Sequence, residues 1–309
     1  MRRRVFLAGS VSCLLQAQDW RHSAAFDRLY NLDFDQAIVL IDKDCVRDPS
    51  DPEHHNNLAY ALLCRTLFRA DALDGGVALG VAEFLRKPKA PMDAGDRSRF
   101  YASLTRAEDA AKSRLAKDPN RADAFYALGV SQSHRANLAL LVDKEWHHAL
   151  KTGGEARTLH AEALARDKNF VDAMLVPSFH EYIVGSLPFY LKALGFLAGF
   201  TGEKEKGLNG LRTVARYGTR TRIEAQVLLA LVERREGRPE KSIEIMRALE
   251  KEFPTNHLYR KELTSLLVDI KNKEEARREF SELDHSRYRF LKPAKLEAYK
   301  REFAAKLKA

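Results

Sequence analysis

The sequence predicts an all-α fold, a right-handed solenoid of paired antiparallel helices. The first observation is a period of 34 residues near the C-terminus. Residues recur there at matching positions, mostly small or apolar ones: Leu229, Gly237, Ser242, Met246 and Leu249 are followed 34 residues later by Leu263, Lys271, Ala276, Phe280 and Leu283. Such a period marks helical repeat proteins, because one helix pair cannot bury its apolar face alone and stacks on the next. The second observation is the composition, 45% hydrophobic and 31% charged over 309 residues, which is typical of a globular protein.

Residues 1–18 are predicted to be an export signal that is cleaved. Three arginines, residues 2–4, precede an apolar run, residues 5–15, that is too short to span a membrane as a helix. Arg3 and Arg4 with the residues behind them also fit the twin-arginine pattern. This route, the general route and a helix packed on the first repeat all stay open. Cys13 is a poor lipidation site because the apolar run continues past it. From the export signal we expect a periplasmic or envelope-associated bacterial protein.

Residues 20–167 are predicted to form three helix pairs, of which the second and third are enlarged. Paired helices of this kind need small residues where they cross, about 12 positions apart along the chain. Ala59 and Ala107 are 48 apart, and Gly129 and Ala156 are 27 apart, so extra residues lie between the paired helices. We expect the two extensions to protrude together at one edge of the solenoid.

Each extension has its own predicted structure. In the first, a helix runs to about residue 73 and is followed by a short apolar segment, residues 77–85. A loop containing Pro88, Pro91 and Gly95 comes next. In the second, residues 122–150 contain no proline and no glycine after Gly129, which predicts one uninterrupted helix on the order of 45 Å long.

The C-terminal half is predicted to be more regular. Residues 169–187 form an irregular helix, kinked at Pro177, that has no clear partner of its own. Residues 188–285 follow as three regular pairs, with small residues at the crossings: Gly195, Gly207 and Ala276. Residues 286–309 are predicted to be a basic capping helix with one apolar stripe, formed by Leu296, Tyr299, Phe303 and Leu307.

The basic C-terminal segment bears on the expected partners. From residue 285 onward eight lysines or arginines accompany two glutamates, while the formal net charge of the chain is +9. A charged helix face is most often simply solvated, so nucleic acid is not an expected partner. Peripheral contact of this tail with an anionic membrane stays open.

These positions resemble the tetratricopeptide repeat (TPR) superfamily over most of residues 20–285, most specifically in the three C-terminal pairs. The segments 180–188 (HEYIVGSLP) and 202–208 (GEKEKGL) also resemble exported bacterial TPR proteins of uncharacterised role. The resemblance implies a fold and a compartment but no reaction. Some members of the superfamily hold a peptide carboxylate with lysines and asparagines. Here Asn56 and Asn57 are present, but the accompanying lysines are not.

No motif of catalysis, cofactor binding or metal binding is recognisable. The glycine pairs at 75–76 and 153–154 lack the lysine and hydroxyl of a phosphate-binding loop. Four histidines could in principle approach one another: His134, His147, His148 and His160. Adjacent histidines on a helix point about 100 degrees apart, so surface and packing roles are expected rather than zinc. We therefore predict a protein that is not an enzyme and has no cofactor.

The cysteines left after removal of the signal would lie in an oxidising space. Cys45 and Cys64 fall late in consecutive antiparallel helices, whose corresponding ends lie far apart. A disulfide is therefore disfavoured, and two buried thiols are expected.

Two binding modes are consistent with this fold. The leading prediction is a monomeric scaffold or adaptor that binds a protein or peptide along the concave surface of its first helices, because a curved array of helices offers a preformed groove. The alternative is a binder of a small ligand or envelope component, with a pocket at the enlarged helices. Its candidate residues are Asn56, Asn57, Tyr60, Arg65, His134, His180, Glu181 and Tyr182. The same side chains could instead cap helix ends and satisfy buried backbone groups.

Overall fold

The computed structural model describes residues 23–73, 89–187 and 201–308, which contain thirteen α-helices and no strand. The helices are α1 Ala24–Tyr30, α2 Phe34–Arg47, α3 Pro52–Arg69, α4 Ala94–Lys117, α5 Ala122–Asn137, α6 Trp146–Arg166, α7 Leu175–Gly185, α8 Lys204–Tyr217, α9 Arg222–Arg235, α10 Pro239–Glu252, α11 His257–Asp269, α12 Lys273–Ser281 and α13 Pro293–Lys308. Consecutive helices pack as pairs from α1 with α2 to α11 with α12, and neighbouring pairs stack. The predicted all-α solenoid is thereby confirmed.

Four first helices of these pairs end in the same backbone turn. Leu32, Asp71, Gly237 and Lys271 have φ values between 54° and 72° and lie two residues beyond α1, α3, α9 and α11. The next amide donates back to a carbonyl of the last helical turn, as Asn272 does to Leu267 at 2.9 Å. Only one of the four is glycine, the residue this conformation favours. The repeat is therefore more regular in the backbone than in the sequence.

Small residues let the paired helices approach closely. A Cβ atom on Gly207 of α8 would lie 2.3 Å from the backbone nitrogen of Tyr182 in α7. A Cβ atom on Gly129 of α5 would lie 2.5 Å from Nδ1 of His160 in α6. Ala276 is fully buried in the apolar cluster that joins α9 to α12. The predicted crossing residues Gly207 and Ala276 therefore do lie at helix contacts, whereas Gly195 is outside the described residues.

The single long helix predicted over residues 122–150 is wrong. A π-helix, Leu138–Asp143, prolongs α5, and the helix ends at Lys144, whose φ is 59°. The N–H of Glu145 donates to the carbonyl of Ala139 at 2.8 Å and closes this end. The extra residues are thus divided between α5 and α6, which pack against each other.

The first extension also differs from its prediction. The helix expected to reach residue 73 ends at Arg69, because Asp71 adopts the left-handed turn. Gly95 lies in the first turn of α4 rather than in a loop, and the carboxylate of Asp93 accepts its N–H at 2.8 Å as a helix cap. The apolar segment predicted at 77–85 lies outside the described residues.

The irregular helix predicted at 169–187 does have a partner. A 3-10 turn, Val171–Met174, leads into α7. Pro177 lies in the first turn of α7, where a backbone N–H would not donate to a carbonyl within the helix, so proline costs no hydrogen bond there. No kink is needed there. Helix α7 packs on α8, where a Cβ on Gly210 would meet the side chain of Ser178. Residues 188–200, expected to begin the first regular pair, are outside the described ranges.

Helix α13 covers the end of the solenoid with its apolar stripe. Leu296 and Tyr299 are buried, and Phe303 stacks on Phe280 of α12 with ring centroids 4.2 Å apart. Nζ of Lys306 donates to the hydroxyl of Ser265 in α11 at 2.9 Å. Across the ranges that the structure covers, no helix is both long and apolar enough to traverse a bilayer.

The two ends of the solenoid meet, which the sequence does not indicate. The side-chain oxygen of Asn31, just after α1, accepts bonds from the N–H and hydroxyl of Thr255 at 3.1 and 2.7 Å. The side chain of Asn256 donates to the backbone carbonyl of Tyr30 at 2.7 Å. The ring of Tyr30 also packs on Phe253, with centroids 5.1 Å apart.

Further contacts complete this closure. Phe68 of α3 lies 6.0 Å from His257 of α11 between ring centroids, and Lys295 of α13 pairs with Asp71 at 3.1 Å. The described helices thus form a ring in which α11 is buried on most of its surface. The inner side of this ring corresponds to the concave groove that the sequence predicts.

A glycine pair tests the close helix contact. Gly207→Ala should lower the free energy of unfolding by about 1 to 3 kcal/mol, because its methyl group meets backbone atoms of α7. Gly154→Ala, in the middle of α6 with no atom within 4 Å, is the matched control and should be neutral or stabilising by up to about 1 kcal/mol. Urea unfolding measures both. Equal effects of the two substitutions would contradict the contact.

Candidate functional site

The inner surface of the ring is the candidate site. Tyr60 on α3, His134 on α5, and Glu224, Leu228 and Leu231 on α9 contribute half-buried side chains to it. The three α9 positions lie on one helix face because they are spaced by four and three residues. The neighbouring faces of α9 are buried in the apolar clusters shared with α8 and with α10 and α11. The exposed part of α9's inner stripe therefore faces the centre of the ring.

Tyr60 and His134, both predicted site residues, are brought together. Their rings stack with centroids 5.5 Å apart and an interplanar angle of 15°. Burial, helped by His160, lowers the pKa of His134 to about 4, and burial also lowers the pKa of His160 to about 4. Both imidazoles are neutral at pH 7. Nδ1 of His134 is enclosed and has no hydrogen-bond partner in the part of the chain that is described.

Two other predicted residues have structural roles. The carboxamide of Asn56 donates to the carbonyl of Ala127 at 2.9 Å and accepts from the hydroxyl of Ser131 at 2.7 Å, which joins α3 to α5. The guanidinium of Arg65 binds Asp35 at 2.6 Å and Asp96 at 2.6 Å, which joins α2, α3 and α4. These bonds give both side chains a role in holding the helices together.

Asn57 keeps the features expected of a binding residue. It lies one turn before Tyr60 on α3 and is half-buried. Its side chain makes no hydrogen bond within the described ranges, in contrast with the neighbouring Asn56. A ligand in the ring could therefore use both the donor and the acceptor of this amide.

The predicted residues on α7 are engaged elsewhere. Glu181 accepts the N–H of Glu203 at 2.8 Å and pairs with Lys206 at 2.9 Å, both at the start of α8. The hydroxyl of Tyr182 donates to Glu236 at 3.0 Å, and its ring is buried. Burial and the charge of Arg157 lower the pKa of His180. Glu181 and Tyr182 tie α7 to its neighbours, whereas Tyr60 and His134 line the ring.

Glu224 is a functional candidate that the sequence analysis missed. Its Oε1 accepts from the hydroxyl of Tyr30 at 2.6 Å, across the closure of the ring. Burial raises the pKa of Glu224, while the hydroxyls of Tyr30 and Tyr60 favour its charged form. Its Oε2 is enclosed without a donor in hydrogen-bond geometry among the described residues. The feature of the sequence that could have identified it is a single glutamate on the otherwise apolar inner stripe of α9.

A neighbouring ion pair is internally satisfied. Arg220 binds Glu53 of α3 at 2.8 Å, and its guanidinium lies 5.4 Å from the ring of Tyr126.

Asp172, in the 3-10 turn, accepts the backbone N–H groups of residues 219–221 at the start of α9. This carboxylate acts as a remote helix cap and fixes where α9 begins.

The thiols and the remaining histidines do not form a reactive centre. Cys45 and Cys64 are buried free thiols, and burial raises their pKa values to about 11 and about 12. Both stay protonated at neutral pH. His147 and His148 are exposed at the start of α6, and the described residues hold no cluster of His, Cys, Asp or Glu suited to a metal ion.

Two cavities lie outside the ring. One of about 800 Å³ is lined by α2, α3 and α4 and includes Cys45 and His55. The other, of about 770 Å³, lies along α8, α9 and α10 and includes Arg216 and Arg222. Neither is lined by a predicted site residue.

The solved structures that are similar to this chain include TTC0263 and yeast Tom70. TTC0263, a thermophilic TPR protein of Thermus thermophilus, is 14% identical, and the match covers 78% of this chain and 94% of that one with a TM-score of 0.41. Yeast Tom70 is 14% identical, with 94% of this chain and 65% of that one covered and a TM-score of 0.29. No protein-family model and no curated protein matches the chain. The TPR-like architecture is carried by the helix pairs and repeated turns of this chain itself.

The buried histidines make stability dependent on pH. Their pKa of about 4 in the folded chain lies below the ordinary value of 6.5, so the unfolded chain binds more protons between these values. Stability should be complete above pH 6.5 and fall as the pH drops towards 4. For His160, which is 2% exposed, the loss is on the order of 3 kcal/mol.

Urea unfolding at pH 7, 6 and 5 measures this loss. His134→Phe keeps a ring against Tyr60 but cannot titrate, so its stability should fall less over the same range. An equal fall in the wild type and the variant would show that His134 does not contribute.

Proposed function

We propose that the protein is an exported, non-enzymatic scaffold that holds an extended segment of a partner polypeptide along the inner surface of its ring. The inner stripe of α9 carries the proposal. Leu228 and Leu231 are half-buried, yet neither packs against a buried apolar cluster of the described chain. A stripe left open on a helix whose other faces are covered is a surface that a partner can bury.

Closure of the ring restricts the shape of the partner. The bonds from Asn31 to Thr255 and from Tyr30 to Glu224 cross the opening that an unclosed solenoid would leave. A folded domain would have to break them, whereas an extended segment is thin enough to leave them intact. Because the surface is held by packed helices, little ordering is needed on binding.

A small ligand is the second candidate, and one observation favours it. Nδ1 of His134 is enclosed without a partner, next to a ring that stacks on it. A buried polar atom without a hydrogen bond is costly, and a small polar ligand would supply the missing bond. Thermal stabilisation by an envelope extract from which proteins have been removed would favour this candidate.

A leucine pair tests the binding surface. Leu228→Glu should abolish capture of a partner from the envelope fraction, because it places a second carboxylate on the apolar stripe beside Glu224. Leu150→Glu, at a site on α6 that is 55% exposed, is the matched control and should capture as the wild type does. Cross-linking and mass spectrometry measure capture, and circular dichroism checks that both variants fold. Capture by folded Leu228→Glu at the wild-type level would refute the proposal.

Export is supported by the arginines and the apolar run of residues 1–18, which lie outside the described residues. Lysine keeps the positive charge that the general route needs but not the arginine pair that the twin-arginine route reads. The double substitution Arg3→Lys and Arg4→Lys should therefore leave general export intact and stop twin-arginine export. Immunoblots of periplasmic and cytosolic fractions distinguish the routes. Cytosolic retention of the unaltered protein, with its N-terminus uncleaved, would contradict export.

A further inference from the structure

We propose that Glu224 and the tyrosines around it form a recognition site for an organic ammonium group carried on an apolar stem, such as a lysine side chain or a free alkylamine. This inference rests on the proposed function and specifies which chemistry the inner surface selects. Its test is chosen so that it can fail while the proposed function stands.

The carboxylate is incompletely satisfied. Oε1 of Glu224 accepts one bond, from the hydroxyl of Tyr30 at 2.6 Å. Oε2 is enclosed and makes no hydrogen bond, and Glu224 forms no ion pair, within the ranges described, although the nearby hydroxyl of Tyr60 also favours its charged form. An enclosed carboxylate without a cation is unfavourable, and an ammonium group supplies both the charge and the donors.

Tyrosines from three other helices lie near this carboxylate, and Tyr30 contacts it directly. Tyr30 lies on α1, Tyr60 on α3 and Tyr259 on α11. Burial raises the pKa of each of the three hydroxyls, and the charge of Glu224 adds to this effect. Ring faces close to a carboxylate stabilise an ammonium group by cation–π attraction.

The other charges near the site leave a net preference for a cation. Arg220 is paired with Glu53, and Glu252 is paired with Arg222, so neither arginine is available to an anion. His134 is neutral because burial lowers its pKa to about 4. Glu224 is therefore the acidic group of the described inner surface that has no cationic partner, and an anionic ligand is disfavoured.

The apolar stem has a path that starts at the carboxylate. Leu228 follows Glu224 by one helical turn, and Leu231 lies on the same stripe. Both side chains are half-buried. A lysine side chain matches this arrangement, because its ammonium group is carried on a methylene stem that packs on apolar surface.

Titration with defined probes tests the site in the full mature chain. The probes are Nα-acetyl-lysine methylamide, its Nε-acetylated form, and n-hexylammonium. The cationic lysine probe should bind at least about tenfold more tightly than the neutral acetylated one, measured by calorimetry and by shifts of the Tyr resonances. Tight binding of n-hexylammonium as well would point to free amines, whereas binding of the lysine probe alone would point to a polypeptide.

Matched variants locate the binding. Glu224→Gln should lose at least tenfold in affinity for the cationic probe, and Glu224→Asp should retain part of it if the variants fold. Glu244→Gln, at an exposed position of α10, is the control and should bind as the wild type does. Tyr60→Phe should keep most of the affinity because its ring remains.

Three results would overturn the inference. They are equal affinity in Glu224→Gln and the wild type, tighter binding of the neutral probe, and no binding of either cation. If Leu228→Glu still abolished partner capture in any of these cases, the proposed function would stand and only the ammonium site would be lost.

Discussion

The structure depends on the close approach of paired helices at residues with little or no side chain. Two helices pack at backbone distance only where nothing projects between them. Gly207 against Tyr182, and Gly129 against His160, are such places, because a methyl group there would overlap neighbouring atoms. These contacts fix how each helix sits on its partner, and the stacking of pairs follows from them. The inner stripe of α9 faces the ring because its other faces are used in this stacking.

Closure adds a second constraint that a linear array of repeats lacks. In an ordinary solenoid each unit contacts only its neighbours. Here the first pair also contacts the tenth and eleventh helices, through hydrogen bonds from Thr255 and Asn256 and through ring packing on Tyr30. The same tyrosine donates to Glu224, so the contact that closes the ring also helps to form its inner surface.

The sequence predicted the parts of the fold that are periodic. Gly237 and Lys271 share a backbone turn 34 residues apart, and the helices on either side were correctly paired. The end of α5 at Lys144 was not predictable from composition, since lysine rarely adopts a positive φ and no glycine or proline marks the break. The bond between Asn31 and Thr255 joins positions 224 residues apart, and no local pattern reports a contact of that range.

The candidate site was predicted only where residue type and placement agree. Tyr60 and His134 are aromatic residues on inner helix faces, and they stack. Asn56 and Arg65 have equally suitable chemistry, but Asn56 donates to a buried backbone carbonyl and Arg65 pairs with a carboxylate of a neighbouring helix. Glu224 was missed because its importance comes from tyrosines on other helices, which sequence spacing cannot bring together.

The ring also has a consequence for how the molecule comes into being. The first helix pair can make its hydrogen bonds with Thr255 and Asn256 only when the polypeptide has been made that far. Until then the aromatic face of Tyr30 has nothing to pack on from that side. Contacts between such distant positions form slowly, since a long loop must close first. The contacts that close the ring therefore form only after most of the chain has been synthesised.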